Sequence, residues 1–165
     1  MPVSNSSSLI IRPAEPGDAG LILRYIIELA AYENAESSVV ADEAQIAKSL
    51  FEPGSPAQAL ICLADEVPIG YAIYFYNYSS WQGRKGLYLE DLYISPKYRG
   101  SGVGQAVFRY LAKTALEEDC GRLEWSVLDW NTPAIQFYEN LGAEAQSEWV
   151  KYRLSGKSLE KIALS

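Results

Sequence analysis

Histidine is absent from this chain, and that one gap removes several kinds of chemistry. A Ser-His-Asp or Cys-His nucleophile, a His-ligated zinc and an imidazole base are all excluded. Acid–base work falls to carboxylate, tyrosine, lysine, cysteine or water. The only two cysteines, Cys62 and Cys120, are too few and too far apart for a disulfide framework or a metal site, and read as packing residues. No metal is expected. No apolar run approaches the roughly 20 residues that cross a bilayer. Positive charge is in deficit, with 14 Lys and Arg against 21 Asp and Glu. That balance weighs against nucleic acid or an anionic membrane as partner and suits a small cationic molecule.

What is present suffices for one domain with a sizeable core: 165 residues, 48% of them apolar. Residues 1–8 are polar and serine-rich, without a basic or hydrophobic signal region. They are expected to be a disordered lead to a cytoplasmic domain over 9–165. A short strand, Leu9-Ile-Ile-Arg-Pro13, precedes a helix in which Leu21, Ile22, Tyr25, Ile26 and Leu29 recur at helical spacing. A second helix follows an Asp42 cap, with Ile46, Leu50 and Phe51 inward. Residues 57–64 and 69–78 read as a hairpin of antiparallel strands, and a long strand over 86–95 returns beside them. Further on come a helix over about 102–118, a strand over 122–128, and a helix from Thr132-Pro133 to Leu141-Gly142. One or two strands over 143–154 and a short amphipathic tail complete the chain. This order gives an α+β domain with a mixed sheet, the strands on either side of the crossover helix being parallel neighbours.

The stretch that carries chemistry is Leu89-Glu-Asp-Leu-Tyr-Ile-Ser-Pro-Lys-Tyr-Arg-Gly-Ser-Gly-Val-Gly104. Three alternate glycines at a helix start let backbone N–H groups approach phosphate oxygens, which the helix dipole favours. It has neither the spacing of a dinucleotide fingerprint nor the Gly-Lys-Ser/Thr of a P-loop. Before it stand two adjacent carboxylates, Glu90 and Asp91, which a regular strand turns to opposite faces.

Arg99-Gly-Ser-Gly-Val-Gly104 resembles the Arg/Gln-x-x-Gly-x-Gly acetyl-coenzyme A loop of the GNAT superfamily of N-acetyltransferases. Residues Asn131-Thr-Pro-Ala-Ile-Gln-Phe-Tyr-Glu-Asn-Leu-Gly-Ala143 resemble its second signature. Within the superfamily the chain looks most like the spermidine/spermine N-acetyltransferases and their thialysine-acetylating relatives. That match rests on Glu28-Leu-Ala-Ala-Tyr-Glu33, Leu87-Tyr-Leu-Glu-Asp91, Trp81 and Asp129-Trp-Asn131. The resemblance implies a mostly antiparallel mixed sheet of six to seven strands, helices on both faces, and a parallel pair splayed at the cofactor site. It also implies a homodimer.

It further implies acetyl-coenzyme A as acetyl donor, its pyrophosphate on the amides of the loop Arg99, Gly100, Ser101, Gly102, Val103, Gly104 and Gln105. The pantetheine arm would pair with Leu92, Tyr93 and Ile94, and Asn131, Thr132, Pro133, Ala134 and Tyr138 would complete the site. Tyr138 falls on the family's proton donor. A phenol of pKa near 10 can protonate or hydrogen-bond a departing thiolate of pKa about 8.5. Glu90 falls on the base, which in the family acts on the ammonium through ordered water. The amine-binding walls would be Tyr32, Glu33, Trp81, Glu90, Asp91, Glu124, Trp125, Ser126, Glu148 and Trp149. One departure stands out: Ser79 occupies a position that is acidic in the polyamine enzymes, which favours a shorter diamine or a lysine-like amino acid. The implied activity is direct transfer of acetyl to a primary amine of a small cation, a polyamine or diamine. The rivals are a diamino-acid acetyltransferase and a non-catalytic acetyl-coenzyme A sensor.

Overall fold

The computed structural model describes residues 8–165. Residues 1–7 of the expected lead lie outside the described residues. Ser8 exchanges two hydrogen bonds with Asp65: its N–H donates to Oδ1 at 2.9 Å, and its carbonyl accepts from the Asp65 N–H at 3.1 Å. The chain divides after Ser126 into two compact units.

The first unit is a five-stranded sheet in the order β1-β2-β3-β4-β5. Its strands are β1 (Leu9–Pro13), β2 (Gln58–Ala64), β3 (Val67–Ser79), β4 (Arg84–Ile94) and β5 (Leu123–Trp125). The first four pair antiparallel, and β5 pairs parallel with β4. The hairpin between β2 and β3 turns on Asp65 and Glu66 alone, both at positive φ (48° and 67°). That is the two-residue turn whose twist matches the strands, so β3 starts two residues earlier than the sequence suggests.

Helix α1 (Ala19–Tyr32) follows a capping box in which Asp18 also takes two hydrogen bonds from Arg12, at 2.7 and 3.1 Å. Helix α2 (Glu43–Phe51) starts from Asp42, whose carboxylate accepts from the Gln45 N–H while the Gln45 side chain accepts from the Asp42 N–H. Such a reciprocal cap stabilises a helix end by about 1 kcal/mol. Ala19, Ile22 and Tyr25 of α1 and Ile46 of α2 pack on Ala59, Ile61, Tyr71, Ile73 and Tyr93 of the sheet. The alternate residues Leu60, Cys62, Ala72, Tyr74 and Leu89 are buried too, with Val107, Phe108 and Leu111 of α3 (Val103–Glu117). Period-2 alternation assigns the β2 and β3 residues to the second face, and pairing with Tyr74 puts Leu89 there too. Both faces are therefore covered by helices.

The second unit, from Val127 on, holds α4 (Thr132–Asn140) and α5 (Gly156–Ala163). Gly142 closes α4 at φ 88°, the glycine cap the sequence announces. Two expectations need correction. The strand expected over 122–128 is only Leu123–Trp125, and the one or two strands expected over 143–154 do not form. The sheet has five strands where six or seven were expected. Trp149, Val150, Tyr152 and Leu154 have strand-like composition, yet they are 55–91% exposed. A strand forms only where a ladder partner is present, and here that stretch has none.

Candidate active site

β4 ends at Ile94, a single tight helical turn (Pro96–Tyr98) follows, and α3 begins at Val103. Between them Gly100 and Gly102 hold φ of 75° and 88°, and a Cβ on either would meet nothing within 4 Å. The loop's outer side is open. The first bond into the helix runs from the Ala106 N–H to the Gly102 carbonyl at 3.0 Å, so the amides of Val103, Gly104 and Gln105 precede the intrahelical ladder. Ser101 donates to the Tyr98 carbonyl and closes the turn, while buried Val103 anchors the helix start. Open backbone, unpaired first-turn amides and the positive helix end fit a phosphate-bearing ligand. Arg99 is already engaged. Its Nε–H donates to the Ile94 carbonyl at 2.8 Å, and its guanidinium lies over the rings of Tyr32 and Tyr93 at 5.0 and 5.3 Å.

Leu92, Tyr93 and Ile94 pair with Ala72, Tyr71 and Gly70 of β3. On the other side, the ladder to β5 stops at Leu89↔Trp125. Beyond that point β4 keeps an edge with no strand beside it, the arrangement that lets an extended ligand add as a strand. Of the three residues, Ile94 has its carbonyl partly used by Arg99.

The register between β3 and β4 slips where that edge opens. Ile73 faces Asp91 and Tyr74 faces Leu89, leaving Glu90 as the extra, bulged residue. The simple alternation read from the sequence is thereby broken. Leu89 shares a face with Tyr74, while Asp91 shares one with Ile73 and the α1 core. Glu90 is exposed; Asp91 is half-buried. Tyr71, fully buried, donates its hydroxyl to Asp91 Oδ2 at 2.9 Å. Burial pushes the Asp91 carboxyl up to about 6, the nearby charges of Glu90 and Glu33 add to this, and the Tyr71 hydrogen bond opposes it. Glu33, just past the end of α1, is also raised by burial. Burial and the same carboxylates drive the Tyr71 hydroxyl upward, so it stays a neutral donor. Asp91 alone touches the phenol, and Glu33 and Glu90 act on it through their charge. Tyr71 was not read as a site residue. The signal would have been its pairing register two residues from Asp91's partner, which the bulge hides.

The other expected wall residues of this unit have diverse positions. Tyr32 carries Arg99 on its ring. Glu124 pairs with Arg122 at 2.8 Å, Trp125 packs edge-on against Phe108 at 4.7 Å, and Ser126 Oγ shares a 2.6 Å hydrogen bond with the Tyr88 hydroxyl. Trp81 sits at the tip of the β3–β4 hairpin and is 90% exposed. The tip lies beyond the Ser79↔Arg84 pair, six residues along β3 from the Ile73↔Asp91 pair, which is roughly 20 Å at strand rise. Trp81 and Asp91 thus stand far apart along the hairpin. Ser79 is buried, and its Oγ accepts from the Gln82 N–H at 3.2 Å, so it caps the turn.

In the second unit, Asn131 occupies the N-cap position of α4 without a side-chain capping bond, and Thr132, Pro133 and Ala134 form the first turn. Tyr138 lies one turn on, half-buried, its ring 5.6 Å from that of Phe137. Glu148 and Trp149 are exposed in the irregular stretch after α4. Among the described residues, no group of three or more His, Cys, Asp or Glu side chains is placed to hold a metal ion. No described helix is long and apolar enough to cross a membrane. Both cysteines are buried, and burial pushes the Cys62 thiol up to about 12, which leaves it protonated and inert.

Comparison with known proteins identifies the family. The model of the acetyltransferase (GNAT) family matches residues 24–143. Thialysine N-epsilon-acetyltransferase of Bos taurus is 36% identical over 173 residues, covering 94% of this chain and 97% of its own. Spermidine/spermine N(1)-acetyltransferase-like protein 1 of Homo sapiens is 32% identical over 163 residues, covering 93% of this chain and 23% of its own. The solved structure of a Vibrio cholerae integron cassette protein superposes with a TM-score of 0.80 at 27% identity, over 96% of this chain and 99% of that one. The chain belongs to the GNAT acetyltransferase family and is an N-acetyltransferase.

Proposed function

We propose that the protein transfers acetyl from acetyl-coenzyme A to a primary amine of a short diamine or diamino acid. The observation that carries this reading is the acidic β4 bulge, where Asp91 accepts from Tyr71 and feels the charges of Glu33 and Glu90 beside the opening strand edge. A site of that charge suits an acceptor bearing a second ammonium beside the one that reacts. Two facts favour a short acceptor over a long polyamine. Ser79 caps a turn, with no acidic group at that position. The thialysine-acetylating relative also aligns over nearly its whole length.

Acetyl-coenzyme A, when bound, supplies the acetyl group as a thioester. The chain's own residues would bind and orient it, with the amides of Val103, Gly104 and Gln105 on its phosphates and the open edge at Leu92, Tyr93 and Ile94 along its arm. Glu90, exposed on the bulge, accepts a proton from the acceptor's ammonium through water, freeing the amine lone pair. By the family likeness, Tyr138 would supply the phenolic proton that a departing thiolate needs. No acyl-enzyme step is invoked, because Cys62 and Cys120 are buried and their thiols are raised by burial.

A thiol-release assay with acetyl-coenzyme A tests the reading against putrescine, ornithine, lysine, thialysine, spermidine, spermine and butylamine. The short dications are expected to give the highest kcat/KM. Turnover of butylamine as efficient as that of putrescine would overturn the role of the acidic cluster. Absence of turnover with every amine would overturn the small-acceptor reading.

A further inference from the structure

The hydrogen bond between Tyr71 and Asp91 has a use that packing does not require. A phenylalanine at position 71 would fill the same space in the core and stack as well on Tyr25, whose ring lies parallel to that of Tyr71 at 5.8 Å and 12°. The hydroxyl alone distinguishes the two side chains, and it donates to Asp91 Oδ2. We propose that Tyr71 is a positioning residue of the acceptor subsite, its hydroxyl holding Asp91 ionised and in place to receive the acceptor's second ammonium. This inference rests on the acceptor reading above.

The groups that face Asp91 come from three elements. From β3, Tyr71 donates a hydrogen bond. From β4, Glu90 adds a like charge, and from the end of α1 so does Glu33. Burial and both carboxylates favour the neutral acid; among these influences only Tyr71 favours the charged form. Tyr71 cannot swing away, because its ring is held between Tyr25 and the strand, fully buried. Its hydroxyl is pushed toward the neutral form by burial and by Asp91, Glu33 and Glu90, so it remains a donor over the whole working range. One Asp91 oxygen is thereby fixed, and the other is left to accept from a cation. Without the hydroxyl, a carboxyl crowded by two others in a poorly hydrated corner takes up a proton and no longer attracts a cation. The subsite would keep its shape and lose its charge.

Putrescine binding, measured by isothermal titration between about pH 5 and pH 8, reads this directly and does not depend on turnover. In the wild type the affinity falls as pH drops through about 6, where Asp91 takes up its proton. In Tyr71→Phe the midpoint moves upward by about one pH unit, so affinity falls about tenfold near pH 5 and about twofold at pH 7. In acetylation assays the same variant raises KM for putrescine by the factor that holds at the assay pH, keeps kcat, and leaves KM for butylamine unchanged, since butylamine has no second ammonium to place. In Asp91→Asn, binding is weak and loses the titration near 6. A folded Tyr71→Phe protein with the wild-type midpoint and affinity would overturn the proposal. So would Asp91→Asn retaining the wild-type pH dependence, a test that stands even where Tyr71→Phe does not fold. Wild-type protein that binds putrescine with this titration but acetylates no amine would overturn the activity reading alone, while the Tyr71 inference would stand.

Discussion

Arg99 fastens the glycine loop to the strand it leaves: its Nε–H donates to the Ile94 carbonyl at 2.8 Å, five residues back. The same guanidinium covers Tyr93 on that strand and Tyr32 at the end of α1. One side chain therefore joins the phosphate loop, the β4 edge and the helix end that leads into Glu33. A charge-assisted bond of this kind contributes about 1.5–3 kcal/mol, and each exposed cation–π contact about 0.5–1 kcal/mol. Arg99→Ala is expected to raise the dissociation constant of coenzyme A about tenfold, measured by isothermal titration. It should also raise the acceptor KM, although Arg99 is not placed among the acceptor-binding carboxylates. Coenzyme A binding at wild-type strength in a folded Arg99→Ala protein would show that the loop is held by its turn alone.

The stability of the protein should depend on pH in two opposite ways. Asp91 is raised from 3.8 to about 6, first by burial. Between those values the folded state binds more protons than the unfolded, so stability falls as pH rises through this window and the loss is complete above about 6. Asp18 is the reverse case, lowered first by its hydrogen bonds from Arg12. Its contribution is present above its unfolded value and is lost as pH falls through the lower folded one. Thermal unfolding of the ligand-free protein should show Tm rising as the pH is brought from 7 toward 5, then falling under stronger acid. Asp91→Asn should flatten the first limb and leave the second. Asp18→Asn should lower Tm at neutral pH, where the Arg12 pair is fully formed.

The two glycine-bearing motifs were legible because each states a local backbone requirement. Arg99 to Gly104 needs positive φ at a helix start, and Leu141-Gly142 needs it at a helix end, and the chain supplies both. The Asp42–Gln45 cap was legible for the same reason. Pairing was less so. Nothing in Leu89-Glu90-Asp91 announces a bulge, because the bulge is set by how β4 registers against β3 thirteen or more residues away in sequence. That slip turned Asp91 to the α1 face and hid Tyr71. Residues 149–154 misled in a different way. Composition shows that a segment is able to pair, and leaves open whether a partner strand exists in the same chain. The separation of Trp81 from Asp91 was not legible either, because it depends on how far the β3–β4 hairpin extends beyond the bulge.

Gly102 offers a test that separates strain from ligand contact. It holds φ of 88° at the start of α3 with open space where a Cβ would stand. Gly83 holds φ of 66° at the β3–β4 hairpin, likewise with open space. An alanine at either position costs about 1 kcal/mol for the left-handed backbone, a few degrees in Tm. Only at 102 does the new methyl stand where a phosphate has to approach the amides. Gly102→Ala should weaken coenzyme A binding by more than about tenfold beyond its effect on Tm, while Gly83→Ala lowers Tm without changing that affinity. Equal affinities for coenzyme A in the two variants would remove the loop from the donor site.

On the proposed reading Tyr138 supplies the proton for the departing sulfur, because the chain has no histidine to do so. A phenol near pKa 10 is protonated across the physiological range and is matched within about two units to a thiol near 8.5. The ring of Tyr138→Phe would keep its place beside Phe137, 5.6 Å away. A positioned acid contributes about a hundredfold or more to rate. Tyr138→Phe is therefore expected to lower kcat about a hundredfold, with coenzyme A affinity changed less than about twofold. Single-turnover acetylation of the best amine from the panel, set beside coenzyme A titration, measures both quantities on the same preparation. If kcat holds while the phenol is gone, water or the coenzyme's own surroundings must protonate the sulfur, and Tyr138 becomes a packing residue of α4.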